Sequence, residues 1–280
     1  MTPGDRLAAP PETGSADVPD YYVLLGMIHA HLKPTTYLEI GVHQGHSLRF
    51  SGPGTVALGI DPAADPRFPL SSCTKLFRLT SDRFFAETDV GAELGGRPVD
   101  LAFLDGLHLF EQTLADFADV ERYCTSDSVV LVHDCLPIDE VTSSRERSTV
   151  LWTGDVWKLV VCLGRYRPDL AVATVDVPPS GLAVVTNLDS RSTVLRDRFD
   201  ALCSEFVPLA YGDLLAMGRD RVLNRVPSDW DAVRRALSGA TGGSRVEAPS
   251  GRGRSHAGRA GGPDSASRAA GGTGGLRPGE

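Results

Sequence analysis

No stretch of the chain is apolar for long enough to cross a membrane, and the opening residues, Met-Thr-Pro-Gly-Asp-Arg, lack the apolar core of a secretory leader. Cations are scarce over most of its length. Residues 239–280 hold six arginines against three acids, a surplus of three, so the other 238 residues carry -11 of a formal net charge of -8. An acidic body lacks the clustered Lys and Arg that nucleic-acid phosphates require. Cysteine is sparse too: five residues, at 73, 124, 135, 162 and 203, with no C-x-x-C pair. An odd, scattered set argues against a disulfide framework and for reduced thiols. These absences lead to the expectation of a soluble, cytoplasmic protein with neither membrane nor nucleic acid as partner.

What is present is ordinary for a globular chain, 41% hydrophobic and 23% charged over 280 residues. Residues 1–17 are rich in Pro, Gly, Ala and Asp without period, and 239–280 contain 13 glycines in 42 residues. Both ends read as disordered tails around one domain at 18–238. Tyr22, Leu25, Met27 and Leu32 roughly share a face in 19–32, a helix stopped by Lys33-Pro34. His29 and His31 on it have no ligand spacing and read as structural or solvated.

Short apolar runs recur downstream. A strand reaches Ile40, a turn from Gly41 to Gly45 leads into a helix, and a second strand over 55–61 ends in Asp61. A third covers 75–79, followed by a helix that Ser81 or Asp82 would cap. Val-Asp-Leu-Ala-Phe-Leu-Asp-Gly-Leu-His (99–108) and Ser-Val-Val-Leu-Val-His-Asp (128–134) end in acids and imidazoles, with an amphipathic helix at 109–124 between them. Apolar runs without alternation suit parallel strands covered on both faces, whose carboxyl ends hold ligands. Residues 139–151 are polar and read as a lid or substrate loop, and a helix over 153–163 would be capped near Thr153 or Asp155. Two strands at 171–175 and 182–186 form a late antiparallel pair, and helices cover 192–206 and 212–238. The expected fold is α/β, a Rossmann-like doubly wound sheet, mostly parallel with a late antiparallel strand and helices on both faces.

The interval from Gly41 to Asp61 matches the spacing at which an acid on a second strand takes ribose hydroxyls. NAD is one candidate, but the turn lacks the G-x-G-x-x-G that seats a pyrophosphate. Glu39-Ile40-Gly41 resembles the opening of the S-adenosylmethionine (SAM) motif of class I methyltransferases, a cofactor without a phosphate whose amino group would suit Glu39. Asp105, His108, His133 and Asp134 would meet in one crevice, a set suited to a divalent cation and a general base. Asp155 and Lys158 lie one helical turn apart, either as a helix-stabilising pair or as part of a substrate pocket.

Glu-Ile-Gly-Val-His-Gln-Gly-His-Ser (39–47), Asp61 and the two strand-end motifs resemble the class I SAM-dependent methyltransferases. Phe-Leu-Asp-Gly-Leu-His with Val-His-Asp is similar, more narrowly, to the metal-dependent sugar O-methyltransferases, and the likeness spans roughly 20–210. The resemblance implies a methyl transfer to a small-molecule hydroxyl, with a homo-oligomer left open. It implies SAM at Glu39, Gly41, Gly45, His46, Ser47, Asp61, Ser81 and Asp82, and catalysis by His108 as base with Asp105; the pocket reading of the Asp155–Lys158 pair adds Lys158 as a candidate catalytic residue. It also implies Mg²⁺ or Mn²⁺ at Asp105, His133 and Asp134, although His133 stands where the family has an acid, and imidazole suits softer ions than Mg²⁺. The competing reading is a non-catalytic SAM-binding or partner-binding module on the same fold.

Overall fold

A computed structural model describes residues 17–239. The expected tails, 1–17 and 239–280, lie outside the described residues except for Asp17 and Gly239. Helix α1 (Tyr21–Leu32) starts at Asp20, whose carboxylate accepts the amide of Val23, and ends at Lys33 in a left-handed conformation. Strand β1 (Thr36–Ile40) follows. The helix expected after the glycine turn is only a 3₁₀ turn, Leu48–Phe50. Ser51-Gly52-Pro53-Gly54 allows no further helical residues. Next come β2 (Val56–Ile60), β3 (Thr74–Phe77), α2 (Ser81–Glu87), α3 (Val90–Glu93) and β4 (Val99–Leu104). Thr80, rather than Ser81 or Asp82, caps α2 by accepting the amide of Arg83.

Helix α4 (Phe110–Glu121) leads into β5 (Cys124–His133), which begins four residues before the expected strand. Helix α5 (Trp157–Tyr166) has no side-chain cap. The carboxylate of Asp155 instead accepts the amide of Phe110, so it caps the neighbouring α4. Strands β6 (Ala171–Val175) and β7 (Leu182–Thr186) fall where the alternation put them. The first of the two long C-terminal helices is broken into α6 (Val194–Asp197) and α7 (Phe199–Phe206). The second is divided into α8 (Tyr211–Ala216), α9 (Arg219–Val222), a short strand β8 (Arg225–Val226) and α10 (Trp230–Leu237). Positive φ at Gly218 and Asn224 makes those breaks, and Asn224 delivers the chain to the edge of β6.

The eight strands form one sheet in the order β3-β2-β1-β4-β5-β7-β6-β8, with β7 antiparallel to both neighbours and every other pair parallel. The α/β sheet with a late antiparallel strand is therefore the fold of the chain. Alternate residues of each central strand enter opposite cores. Leu38, Ile40, Ala102, Leu104, Val130 and Val132 pack under α2, α4, α5 and α7. Tyr37, Leu101, Phe103, Val129 and Leu131 pack under α1 and α10. Burial on both faces is what made these strands continuous apolar runs. Among the described residues no helix is long and apolar enough to cross a membrane.

Candidate active site

Three backbone bonds align the strand ends that carry the site. Asp61 N donates to Phe77 O, Gly41 N to Ile60 O and Asp105 N to Ile40 O, at 3.1, 2.9 and 2.8 Å. Gly41 sits at φ +91°, and a Cβ there would lie 1.9 Å from the carbonyl oxygen of Asp105. Only glycine lets the end of β1 pass so close to the end of β4. A cleft of about 760 Å³ opens along this edge.

One half of the cleft lies over β1, β2 and β3. Asp61 accepts the amides of His43 and Ala63, both at 2.7 Å, so its carboxylate is held at the lip. His46 lies 4.8 Å from the ring of Phe68, and burial with nearby Arg49 keeps its imidazole below its ordinary pKa. Gln112 on α4 donates to Ser81 at 3.1 Å and to Asp82 and Asp116 at 3.0 Å, clamping the start of α2. Burial pushes Asp116 up to about 6. Gly41, His46, Ser47, Asp61, Ser81 and Asp82 all line this half.

Glu39 and Gly45 do not. Glu39 is fully buried beneath the turn, where its two oxygens accept the hydroxyls of Tyr37 and Ser47, each at 2.6 Å. Burial pushes its carboxyl up to about 8 despite those two donors. A carboxyl so enclosed positions Ser47 and does not reach an amino group in the cleft. Gly45 supplies a left-handed turn, φ +74°, packed on Pro66.

The other half lies over β4 and β5. His133, the last residue of β5, places Nδ1 3.2 Å from Asp105 Oδ1 and 3.4 Å from Asp134 Oδ2. Its ring stacks on Tyr21 at 3.9 Å. His108 places Nδ1 2.8 Å from the carbonyl oxygen of Trp152 and 3.1 Å from Asp134 Oδ2, with Nε2 3.5 Å from Asp105 Oδ1. The carbonyl accepts only, so Nδ1 carries a proton and Nε2 is the nitrogen with a lone pair to offer. Burial opposes charge throughout this cluster, yet the pairing outweighs it. The imidazoles of His133 and His108 hold Asp105 well below the carboxylate range. The facing carboxylates of Asp105 and Asp134 push His133 up to about 10 and raise His108.

Three donors, from Asp105, His108 and Asp134, lie within 4.8 Å of one another and could hold a metal ion. His133 is not in that group. It was expected as a ligand; its Nδ1 faces both carboxylates, 3.2 Å from Asp105 Oδ1 and 3.4 Å from Asp134 Oδ2. Lys158 is likewise away from the cleft. It is 1% exposed, with Nζ 2.8 Å from both Asp155 Oδ2 and the carbonyl oxygen of Val207. It serves a buried ion pair that also engages Arg145, whose guanidinium reaches Asp155 at 2.6 Å and Glu111 at 2.5 Å.

That pair anchors the polar loop at 139–153. Thr153 N donates to Thr142 O at 2.9 Å, closing its base, and Trp152 Nε1 donates to Ser144 O at 2.6 Å. A Cβ on Gly154 would meet the carbonyl oxygen of His108 at 1.8 Å, so loop and base are packed backbone to backbone. Trp152 stacks on His108 with centroids 5.1 Å apart. Tyr21, Gln112, Arg147 and Trp152 also line the cleft. The polarity of the loop pointed towards Arg147.

Residues 38–135, from within β1 to just past β5, match a family model described as a methyltransferase domain. No curated protein matches the chain. Among solved structures it resembles the cofactor-bound protein Rv0187 from MTB, at 16% identity and TM-score 0.46 over 66% of this chain and 85% of that one. It also resembles the O-methyltransferase TomG from Streptomyces achromogenes, in complex with SAM, at 12% and 0.45 over 60% and 80%. The SAH-bound methyltransferase PaMTH1 of Podospora anserina stands at 14% and 0.47 over 60% and 78%. Likenesses at that distance assign no residue a role. The matched segment holds the Gly41 turn, Asp61, Asp105, His108, His133 and Asp134 together.

Proposed function

We propose that the chain is a SAM-dependent O-methyltransferase acting on the hydroxyl of a small molecule. One observation carries the reading: the acid–imidazole cluster opens into the same cleft as the Gly41–Asp61 cradle. SAM would lie over β1 and β2, with Asp61 at the ribose hydroxyls and Ser47, Ser81 and Asp82 along the wall. The acceptor oxygen would sit towards His108. Bound there, SAM would supply an electrophilic methyl group to that oxygen and leave as S-adenosylhomocysteine (SAH), and His108 Nε2 would take the hydroxyl proton. Since the sulfonium is already activated, the protein's part is alignment and proton removal.

With His108 kept as the base, Asp105 and Asp134 are the carboxylates left to hold a divalent ion such as Mg²⁺ or Mn²⁺. Such an ion would supply positive charge to the acceptor oxygen. His108 cannot offer Nε2 to a metal and to a proton together, and the base is the role proposed for it. The test is a titration with SAH alongside SAH release during turnover. His108→Ala should lower turnover by roughly 10²–10⁴-fold and leave SAH affinity unchanged. Equal loss of SAH binding would remove the base assignment.

A further inference from the structure

The polar loop at 139–153 holds two arginines that behave differently. Arg145 is fully paired, with its guanidinium on Glu111 and Asp155. Arg147 lines the cleft, and its contacts are the carbonyl oxygen of Val150 at 3.5 Å and the ring of Trp152 at 6.0 Å. Among the described residues no carboxylate pairs with it. It is also the one arginine or lysine in a lining whose fixed negative charges are Asp61, Asp82, Asp105 and Asp134. An acceptor that is neutral or cationic has no use for a guanidinium here, and a planar fork is the group that takes carboxylates and phosphates bidentately.

Its place relates it to the acceptor half. The guanidinium lies over Trp152, and Trp152 stacks on His108 at 5.1 Å. Those two contacts put the Arg147 guanidinium carbon no more than about 11 Å from the centre of the His108 ring. Leu107, 53% exposed, and Val150, 95% exposed, add apolar surface around Trp152. Resting on the methyltransferase reading above, the geometry points to an acceptor that is a small hydroxylated molecule bearing a carboxylate or phosphate. Arg147 takes the anion, the carbon frame lies along Trp152, and the hydroxyl meets His108.

The rival occupant of Arg147 is the carboxylate of SAM itself, and the test separates the two. The full chain is first titrated with SAH. SAH release from SAM is then measured on matched pairs: hydroxybenzoates and hydroxycinnamates against their methyl esters, and monophosphorylated diols against the free diols. The charged member of a pair should be the better acceptor, with the responding pairs telling carboxylate from phosphate. Arg147→Ala should lower kcat/KM for the charged member about tenfold to a hundredfold, mainly through KM, with SAH affinity unchanged. Arg147→Lys should restore part of it. Preference for the neutral members, no turnover of any charged acceptor by SAH-binding protein, or an Arg147→Ala variant that treats both members as the wild type does, overturns the proposal. So does loss of SAH affinity in that variant, which would give Arg147 to the cofactor. Failure of the wild type to bind SAH at all overturns the methyltransferase reading instead.

Discussion

His29 should make the stability of this domain fall below neutral pH, by an amount the structure sets. The ring is 5% exposed on α1, neither nitrogen has a hydrogen-bond partner, and its neighbour Tyr37 lies edge-on at 4.6 Å. Burial lowers its pKa from 6.5 to about 4. The folded state therefore takes up the proton later than the unfolded one. Stability is full above pH 6.5, declines as the pH falls through the window to 4, and levels off below it. A gap of that size corresponds to about 3 kcal/mol at the acid end and about 2 kcal/mol at pH 5. Asp116 and Glu39 work the other way, because burial makes them keep protons in the folded state. The wild-type slope is thus mixed, and a variant must isolate the histidine. Urea unfolding at pH 7.5 and pH 5 would be compared for wild type and His29→Leu, which removes the titrating ring and its unsatisfied nitrogens together. The variant should lose about 2 kcal/mol less than the wild type across that interval. Equal losses would refute the reasoning. The same helix presents Tyr21 to His133.

Three further outcomes follow from the site. Raised by Asp105 and Asp134, His108 should be protonated at pH 6.5, so the acid limb of kcat/KM should lie above that value. Asp134→Asn should move the limb down, and a limb that stays put would separate it from His108. Lys158→Met should cost about 2–3 kcal/mol in urea unfolding, because Asp155 keeps Arg145 and the Phe110 amide but loses a buried cation. SAH affinity should be unchanged; full stability with abolished turnover would return the lysine to catalysis. Mg²⁺ or Mn²⁺ should raise the thermal midpoint, and Asp105→Asn should erase that shift. A shift of the same size in Asp105→Asn would take the ion away from this carboxylate pair.

How much of this was legible follows from what each residue depends on. The strands at 99–104 and 128–133 could be read because each is buried on both sides and therefore apolar throughout. Asp61, Asp105 and Asp134 could be placed in one crevice because a strand end fixes a backbone position, and neighbouring strand ends are bonded to one another. The failures are of another kind. Ser51–Gly54 ended a helix that the glycine turn was expected to start, and Asn224 turned the chain out of a presumed helix into β8. Local breakers were there to be read, but periodicity was given more weight.

Side-chain direction was much harder to read than backbone position, and Asp155 shows why. With Lys158 one turn later it looked like a surface pair or a pocket pair. Its carboxylate in fact caps a helix beginning 45 residues earlier and receives an arginine from the loop before it. Spacing along one helix cannot reveal partners that arrive from elsewhere. The same holds for Glu39, whose acid was correctly placed at the end of β1. Its strand buries every residue, so the carboxyl turns inward to Tyr37 and Ser47 rather than outward to a ligand. His133 extends the point to chemistry. Its strand end is where the motif put it, and there two carboxylates face one ring nitrogen. The residues left to meet an acceptor are therefore those that the surrounding contacts leave incomplete. His108 has Nδ1 fixed and Nε2 available, and among the described residues no carboxylate pairs with Arg147.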